Sequence, residues 1–384
     1  MSSSSNPIYL DYNGTTPIDS RVADAMQPFL YEHFGNPSSS HFYGLASKNA
    51  LQKARGQVAS LLGCKPSEVI FTSGGTESNN ISIHGVARRF RDKGKHIITS
   101  SIEHPAVLEP CAFLEKEGYT ITKVGVDATG RVNVSAIQEA ITPETILISV
   151  MHANNEVGTI QPIAEIAELA HEHDIIVHCD AAQSIGKVPV KVQELQVDLL
   201  TIAGHKLYAS KGIGALYIRE GLELPVMMQG APQESGRRPG TENILQIVGL
   251  GEAAELCSSS LDEEGSRIKK LRDTLQANLK EQLGENIRIN GHPEYRLPNT
   301  LHVGFAGVNA SDLLSSVKDS LAASAGAACH ADQVSISHVL RAMAIPEHYA
   351  KGAVRLSLGR MTTSEEVNSA GKILCDTYLR LSNG

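Results

Sequence analysis

The chain has 384 residues, 41% hydrophobic and 20% charged, an ordinary globular balance with length for two domains and a large core. A net charge of −8 argues against an electrostatic footprint for nucleic acid or an anionic membrane. Six cysteines with no CxxC pair and no Cys/His cluster at zinc spacing argue against a metal site and for free thiols in a reducing compartment.

No apolar run approaches the roughly 18 residues of a membrane span. The start, MSSSSNPIYL, has neither the charged nor the apolar region of a signal peptide. A soluble cytoplasmic protein is expected. In chain order, IYLDYNGTTP reads as a short strand broken by Asn13-Gly14 and Pro17. A helix over 19–31 follows, capped by Asp19, and then the donor-rich loop FGNPSSSHFYG. A helix over 45–62 precedes a strand over 68–72. SGGTESNN comes directly after that strand and opens a helix to Arg89. Gly74 and Gly75 let backbone amides approach a ligand, and Thr76 adds a hydroxyl at the positive helix end, which together make a phosphate cup. It is neither a Walker loop nor GxGxxG.

A strand over 96–100 delivers His104, and TILISVM delivers Asn154 and Asn155. The stretch 174–206 reads as two buried strands, one ending in Asp180 and the other in His205 and Lys206. Functional groups of open α/β sheets collect beyond the strands' carboxyl ends. An acid and a lysine there are the pair needed to hold pyridoxal phosphate (PLP), the lysine on its carbonyl carbon and the carboxylate on its ring nitrogen; the alternative is that any α/β protein has an Asp and a Lys after strands. GIGALYI closes the sheet, perhaps as an antiparallel strand. GAPQESGRRPGTEN over 230–243 is a long glycine-rich loop of the functional kind. A helix over 244–283 has a polar break near 258–265, where a domain boundary is placed. The remainder is α+β, with strands over 287–290, 299–305, 321–324 and 354–358 and helices over 310–319, 336–343 and 364–381. Between them SAGAACHADQVSISHV surrounds Cys329 with small residues, the setting of an exposed loop and a reactive thiol. The other five cysteines read as structural.

Taken together, YLDYNGTTP, GNPSSSH, FTSGGTESNN, IEHPAV, HANNEVGTIQP, VHCDAAQS, AGHKLYASKGIGALY, GRRPGTEN, AGAACH and VRLSLGR resemble the class V PLP-dependent enzymes. The resemblance is to the cysteine desulfurases and the similar selenocysteine lyases, over essentially the whole chain. It implies the aspartate aminotransferase-like α/β fold of PLP-dependent transferases. A large PLP-binding domain over 16–258 with a mainly parallel sheet would be joined by a small α+β domain built from 1–15 and 259–384. It also implies a role for each matching residue. Lys206 matches the lysine bonded to the cofactor, Asp180 the carboxylate at the pyridine nitrogen, and Gln183 the donor to the phenolate oxygen. His104 matches the ring-stacking acid–base histidine. Gly75, Thr76 and His205 match the phosphate site, and Thr241 the residue reaching the phosphate of the other subunit of a homodimer. Arg355 matches the guanidinium that clamps the substrate carboxylate, with Asn155 and Asn13 as further contacts. Cys329 matches the nucleophile that takes sulfur as a persulfide for a sulfur or selenium acceptor protein.

Two departures matter. Ala203 stands where many members carry a serine that contacts the phosphate. GAACH is similar to the selenocysteine lyases, whereas Pro105 after His104 is similar to many desulfurases. Conversion of L-cysteine to L-alanine is the expected activity, and selenium release from L-selenocysteine is the alternative.

Overall fold

A computed structural model describes residues 6–325, 327–330 and 333–382, with the backbone alone for 327–330 and 333–335. The chain opens on a two-residue strand, β1 (Ile8–Tyr9). Seven strands then make a central sheet: β2 (Val69–Thr72), β3 (His96–Ser100), β4 (Thr120–Val124), β5 (Thr145–Met151), β6 (Ile176–Asp180), β7 (Leu199–Ala203) and β8 (Gly214–Ile218). Their spatial order is β2-β8-β7-β6-β5-β3-β4. Neighbours from β7 across to β4 are parallel, and β8 runs antiparallel to both β7 and β2. Every residue of β2, β3, β5, β6, β7 and β8 is buried, while β4, at the edge, is mostly open. Helices cover both faces, so the strands carry unbroken apolar runs rather than an alternating pattern. Successive connections leave β3 toward β4 and β5 toward β6, in opposite directions along the sheet. The crevice between β3 and β5 is therefore a topological switch point.

The later strands are β9 (Ile287–Asn290), β10 (Thr300–Phe305), β11 (Leu321–Ala322), β12 (Ser324–Ala325), β13 (Ala327–His330), β14 (Gln333–Ile336) and β15 (Ala353–Ser357). An antiparallel sheet runs β12-β15-β10-β9, and β1 pairs in parallel with β11. One helix, Ile244–Leu283, serves both sheets over its 40 residues, about 60 Å of axis. Its apolar side chains belong to the core of the large sheet as far as Cys257 and to that of the small sheet from Ile268.

The antiparallel placement of GIGALYI is as expected. Four local expectations are corrected. The helix over 19–31 is two, Ser20–Met26 and Pro28–Tyr31, because Pro28 takes up its own first position after Gln27. The polar break near 258–265 does not interrupt the long helix: none of its residues is buried, but Ser and Gly cost a helix only about 1 kcal/mol or less each, and packing at Cys257 and Ile268 holds it on either side. The strand over 321–324 is split at Ala323 between two different sheets. The segment read as an exposed loop around Cys329 is an antiparallel hairpin, with Cys329 opposite Val334 and β14 extending to Ile336, so that the next helix starts only at His338.

Candidate active site

The parallel strands end on one rim, and that rim supplies most of one cavity of about 460 Å³. After β2, Gly74 adopts a φ of 153° and opens the helix Gly75–Arg89, whose first turn has no side-chain cap. Its amides are left for a ligand at the positive end of the helix dipole. Gly75 and Thr76 line the cavity there. His104 follows β3, Asn155 follows β5, Asp180 ends β6 with Gln183 in the turn beyond, and Ala203 ends β7 just before His205 and Lys206. Arg355 arrives from β15 of the small sheet, and Asn13 and Gly14 from the segment after β1.

Lys206 donates to the carbonyls of Asn13 and Gly14, the latter at 2.6 Å. Burial first, and then the nearby Arg355, pushes its pKa down to about 8, against the pull of Asp11 and Asp180. An amine so lowered is a usable nucleophile near neutrality. The Asp180 carboxylate is held at both oxygens, Oδ1 by the backbone N–H of Ala182 at 2.9 Å and Oδ2 by Asn79 Nδ2 at 2.7 Å. His104 caps its own helix, Nδ1 accepting from the Ala106 N–H at 3.1 Å. In the neutral ring Nε2 therefore carries the proton, and burial, outweighing Asp180, lowers its pKa. Burial also brings His205 down to about 4, helped by Lys206, Lys211 and Lys187. Its Nδ1 lies 3.2 Å from Thr15 Oγ1.

Arg355 is fixed on three sides. One terminal nitrogen donates to Asp11 Oδ1 at 2.7 Å and Ser324 Oγ at 3.0 Å, and the other to the Asn155 carbonyl at 3.1 Å. Its buried Nε has no partner among the described residues. Ser324 is also the near foot of the Cys329 hairpin, paired with Arg355 across β12 and β15. The far foot is tied to the same rim: Ser337 donates to Glu156 Oε2 at 2.7 Å, and His338 Nε2 lies 2.9 Å from the Glu103 carbonyl, one residue before His104. Both ends of the segment thus stand at the cavity, while the Cys329 side chain itself lies outside the described residues. Thr241 is exposed and is not among the residues lining this cavity.

Four contributors escaped the reading of the sequence. Asn79 sits one helical turn after Thr76 in the quoted SGGTESNN, and its spacing from the phosphate cup was the available signal. Asp11, in the quoted YLDYNG, orients Arg355. Glu103 is fully buried, and burial pushes it up to about 8 although Ser100 and the Met151 N–H bind it. Lys187 reaches the cavity residues Asn13 and Gln183, and nothing local in the sequence announced it.

The donor set suits an anionic group at Gly75, Thr76 and His205, a carbonyl within reach of the Lys206 amine, a protonated nitrogen facing Asp180, and a carboxylate at Arg355. The chain matches the family Aminotransferase class-V over residues 8–369. It is 47% identical to the cysteine desulfurase IscS of Dictyoglomus turgidum over 94% of this chain and 92% of that one. Among solved structures it is similar to a NifS-like protein, with TM-score 0.91 and 36% identity over 98% of this chain and 100% of the other. It is also similar to SspA in complex with cysteine, with TM-score 0.79 and 37% identity over 91% and 98%. Of the two branches left open above, the named relatives are desulfurases. The chain belongs to the class V aminotransferase family, in its cysteine desulfurase branch.

Proposed function

We propose that this enzyme is a PLP-dependent cysteine desulfurase, converting L-cysteine to L-alanine with transfer of the sulfur to Cys329. The observation that carries the reading is the convergence of Lys206, Asp180 and Arg355 on one cavity with both feet of the Cys329 hairpin on its rim. PLP, when bound, supplies the electron sink that loosens the bonds at the substrate's Cα and Cβ. Lys206 would anchor it and, as a free amine, would take the proton from Cα. Asp180, oriented by Asn79, keeps a proton on the ring nitrogen. Gln183 and Asn155 would contact the cofactor, and His104, with its Nε2 proton available, would face its ring. Gly75, Thr76 and His205 would hold the phosphate, where Ala203 offers no hydroxyl.

Arg355 clamps the carboxylate of cysteine, with Asn155 and Asn13 beside it, and Asp11 orients the guanidinium meanwhile. The Cys329 thiolate then attacks the substrate sulfur. The C–S bond breaks, an S–S bond forms, and a proton goes to the former Cβ, so alanine and a persulfide result without an external oxidant. The persulfide passes to an acceptor protein. The PLP-holding unit is 16–258, and the small unit of 1–15 and 259–384 carries Cys329.

Two further parts belong to the proposal. The enzyme works as a homodimer in which Thr241 reaches the partner's phosphate; its exposure away from its own cavity supports this. It acts in the cytoplasm: the described cysteines 64, 111, 179, 257 and 375 are all unpaired, as reducing conditions leave them, and no described helix is long and apolar enough to cross a membrane.

The test is alanine formation from L-cysteine and L-selenocysteine, side by side, by wild type and Cys329→Ala. Wild type is expected to work on cysteine and Cys329→Ala to lose that activity. Undiminished alanine from cysteine in the variant sinks the mechanism, and turnover of selenocysteine alone by wild type moves the chain to the lyase reading.

A further inference from the structure

Lys187 stands in the turn after β6 and makes no ion pair among the described residues. Its amine instead donates to two amide oxygens, Gln183 Oε1 at 2.9 Å and Asn13 Oδ1 at 3.1 Å. Burial, together with Lys206 and Arg355 nearby, pushes its pKa well below the ordinary lysine value. A half-buried lysine amine near two cations, with no carboxylate partner among the described residues, is an arrangement that calls for a reason.

The reason lies in the chemistry of the two ends of an amide. Carbonyl and amino ends have nearly the same shape, so packing alone does not decide which way an Asn or Gln points. Both described bonds of Lys187 are donated by its amine, so it is the oxygen ends that face it. For Asn13 that choice is also made without Lys187. Asn299 Nδ2 donates to the same Oδ1 at 3.0 Å, and Asn13 Nδ2 donates to Thr300 Oγ1 at 2.9 Å and the Asn155 carbonyl at 3.2 Å. For Gln183, Lys187 is the one described donor to Oε1. The other end, Nε2, donates to the Asn13 carbonyl at 2.9 Å, the same oxygen that accepts from Lys206.

We propose that Lys187 is a positioning residue: its amine donates to Gln183 Oε1 and so keeps the amide presenting N–H rather than C=O to the cofactor oxygen beside Lys206. The inference rests on the reading of Gln183 as a donor to bound PLP. A flipped Gln183 would set a carbonyl lone pair against that anionic oxygen and lose both the donor and the bond from Lys187.

The experiment loads wild type, Lys187→Met, Lys187→Arg, Gln183→Ala and the Gln183→Ala/Lys187→Met double variant with PLP. It reads the PLP dissociation constant and the position of the visible absorption band, with circular dichroism as the check on folding. Lys187→Met is expected to weaken PLP retention about tenfold and to shift the band, while the donor-only Lys187→Arg stays within about threefold of wild type. In the Gln183→Ala background Lys187→Met should add less than about twofold, because the side chain it orients is gone. Should Lys187→Met fail to fold, Lys187→Gln, which can turn an acceptor toward Gln183, carries the same comparison. An unchanged band and retention in the folded variants, or an effect that multiplies in full on Gln183→Ala, overturns the proposal while leaving the cofactor reading intact. A wild type that takes up no PLP overturns the cofactor reading itself, and this one with it.

Discussion

At the scale of single residues the site is a set of charges made to disagree with their ordinary behaviour. Lys206 shows it best, because its pKa of about 8 is also a statement about stability. The unfolded chain binds a proton at Lys206 up to about pH 10.4, and the folded chain releases it earlier. Below pH 8 the buried ammonium therefore opposes folding, and the opposition fades as pH rises toward the unfolded value. Against a Lys206→Met variant, apo wild type should gain on the order of 2 kcal/mol in unfolding free energy between pH 7 and 9.5. Urea unfolding of the two apo-proteins at both pH values measures this directly. A difference that stays flat, or that moves in favour of the variant, contradicts the desolvated amine. The variant must in the same preparation fail to form the lysine-bound visible band with PLP.

At the scale of elements, the phosphate end of the cavity depends on how closely two strands approach. β8 enters the sheet antiparallel between β7 and β2, and Gly214 at its start passes under the glycine turn that follows β2. A Cβ there would lie 2.6 Å from the Ile202 carbonyl oxygen and 2.7 Å from Gly74 Cα. Both are backbone, so neither can swing aside. Gly214→Ala should cost about 1–3 kcal/mol of stability and, by lifting Gly74, weaken PLP retention about tenfold or more. Ser210→Ala on the connection before β8 is the comparison in which retention should hold. A Gly214→Ala protein that binds PLP as tightly as wild type would show that the turn is not set by this contact. The glycines at 74 and 75 were readable as a cup because the chain writes strand, turn and helix consecutively. Gly214 was not, since its partner lies far away in sequence. The same distinction runs through the rest of the molecule. β5 and β7 could be read because burial on both faces demands unbroken β-branched runs. The hairpin of β13 and β14 could not, because AACH carries no strand preference of its own and QVSI is only four residues long. Asn79 on Asp180 and Asp11 on Arg355 are pairings that folding creates between residues far apart in the chain.

At the scale of the whole molecule, one feature of the surface is at odds with a single chain in water. Tyr31, Phe34 and Phe42 are 78%, 71% and 79% exposed. Phe34 and Phe42 belong to one ledge, with Phe34 stacked on Tyr43 at 5.2 Å and Tyr43 edge-on to Phe42 at 5.5 Å. Monomeric proteins rarely leave such contiguous apolar area open, and aromatic anchors are what homodimer interfaces bury. A neighbouring cleft is lined by Asn36 and Ser38 on one side and by Gln233 and Arg237 on the other, so the ledge adjoins the loop over 230–243 that carries Thr241. That loop is braced from within. Arg55 binds Glu234 through both terminal nitrogens, at 2.7 and 2.8 Å, and Arg238 binds Glu77, next to Thr76, at 2.8 Å. A rigid loop beside an aromatic ledge, presenting a hydroxyl outward, is the arrangement expected if dimer formation and cofactor retention are one event. Phe34→Asp with Phe42→Asp should remove on the order of 2 kcal/mol or more per anchor and convert dimer to monomer in light scattering at micromolar protein. PLP retention should fall in parallel. Thr241→Ala should leave the dimer intact and weaken retention alone. If the ledge variant remains dimeric, the interface lies elsewhere. If it becomes monomeric but keeps PLP as tightly as wild type, Thr241 is not supplied across the interface and each chain holds its cofactor by itself.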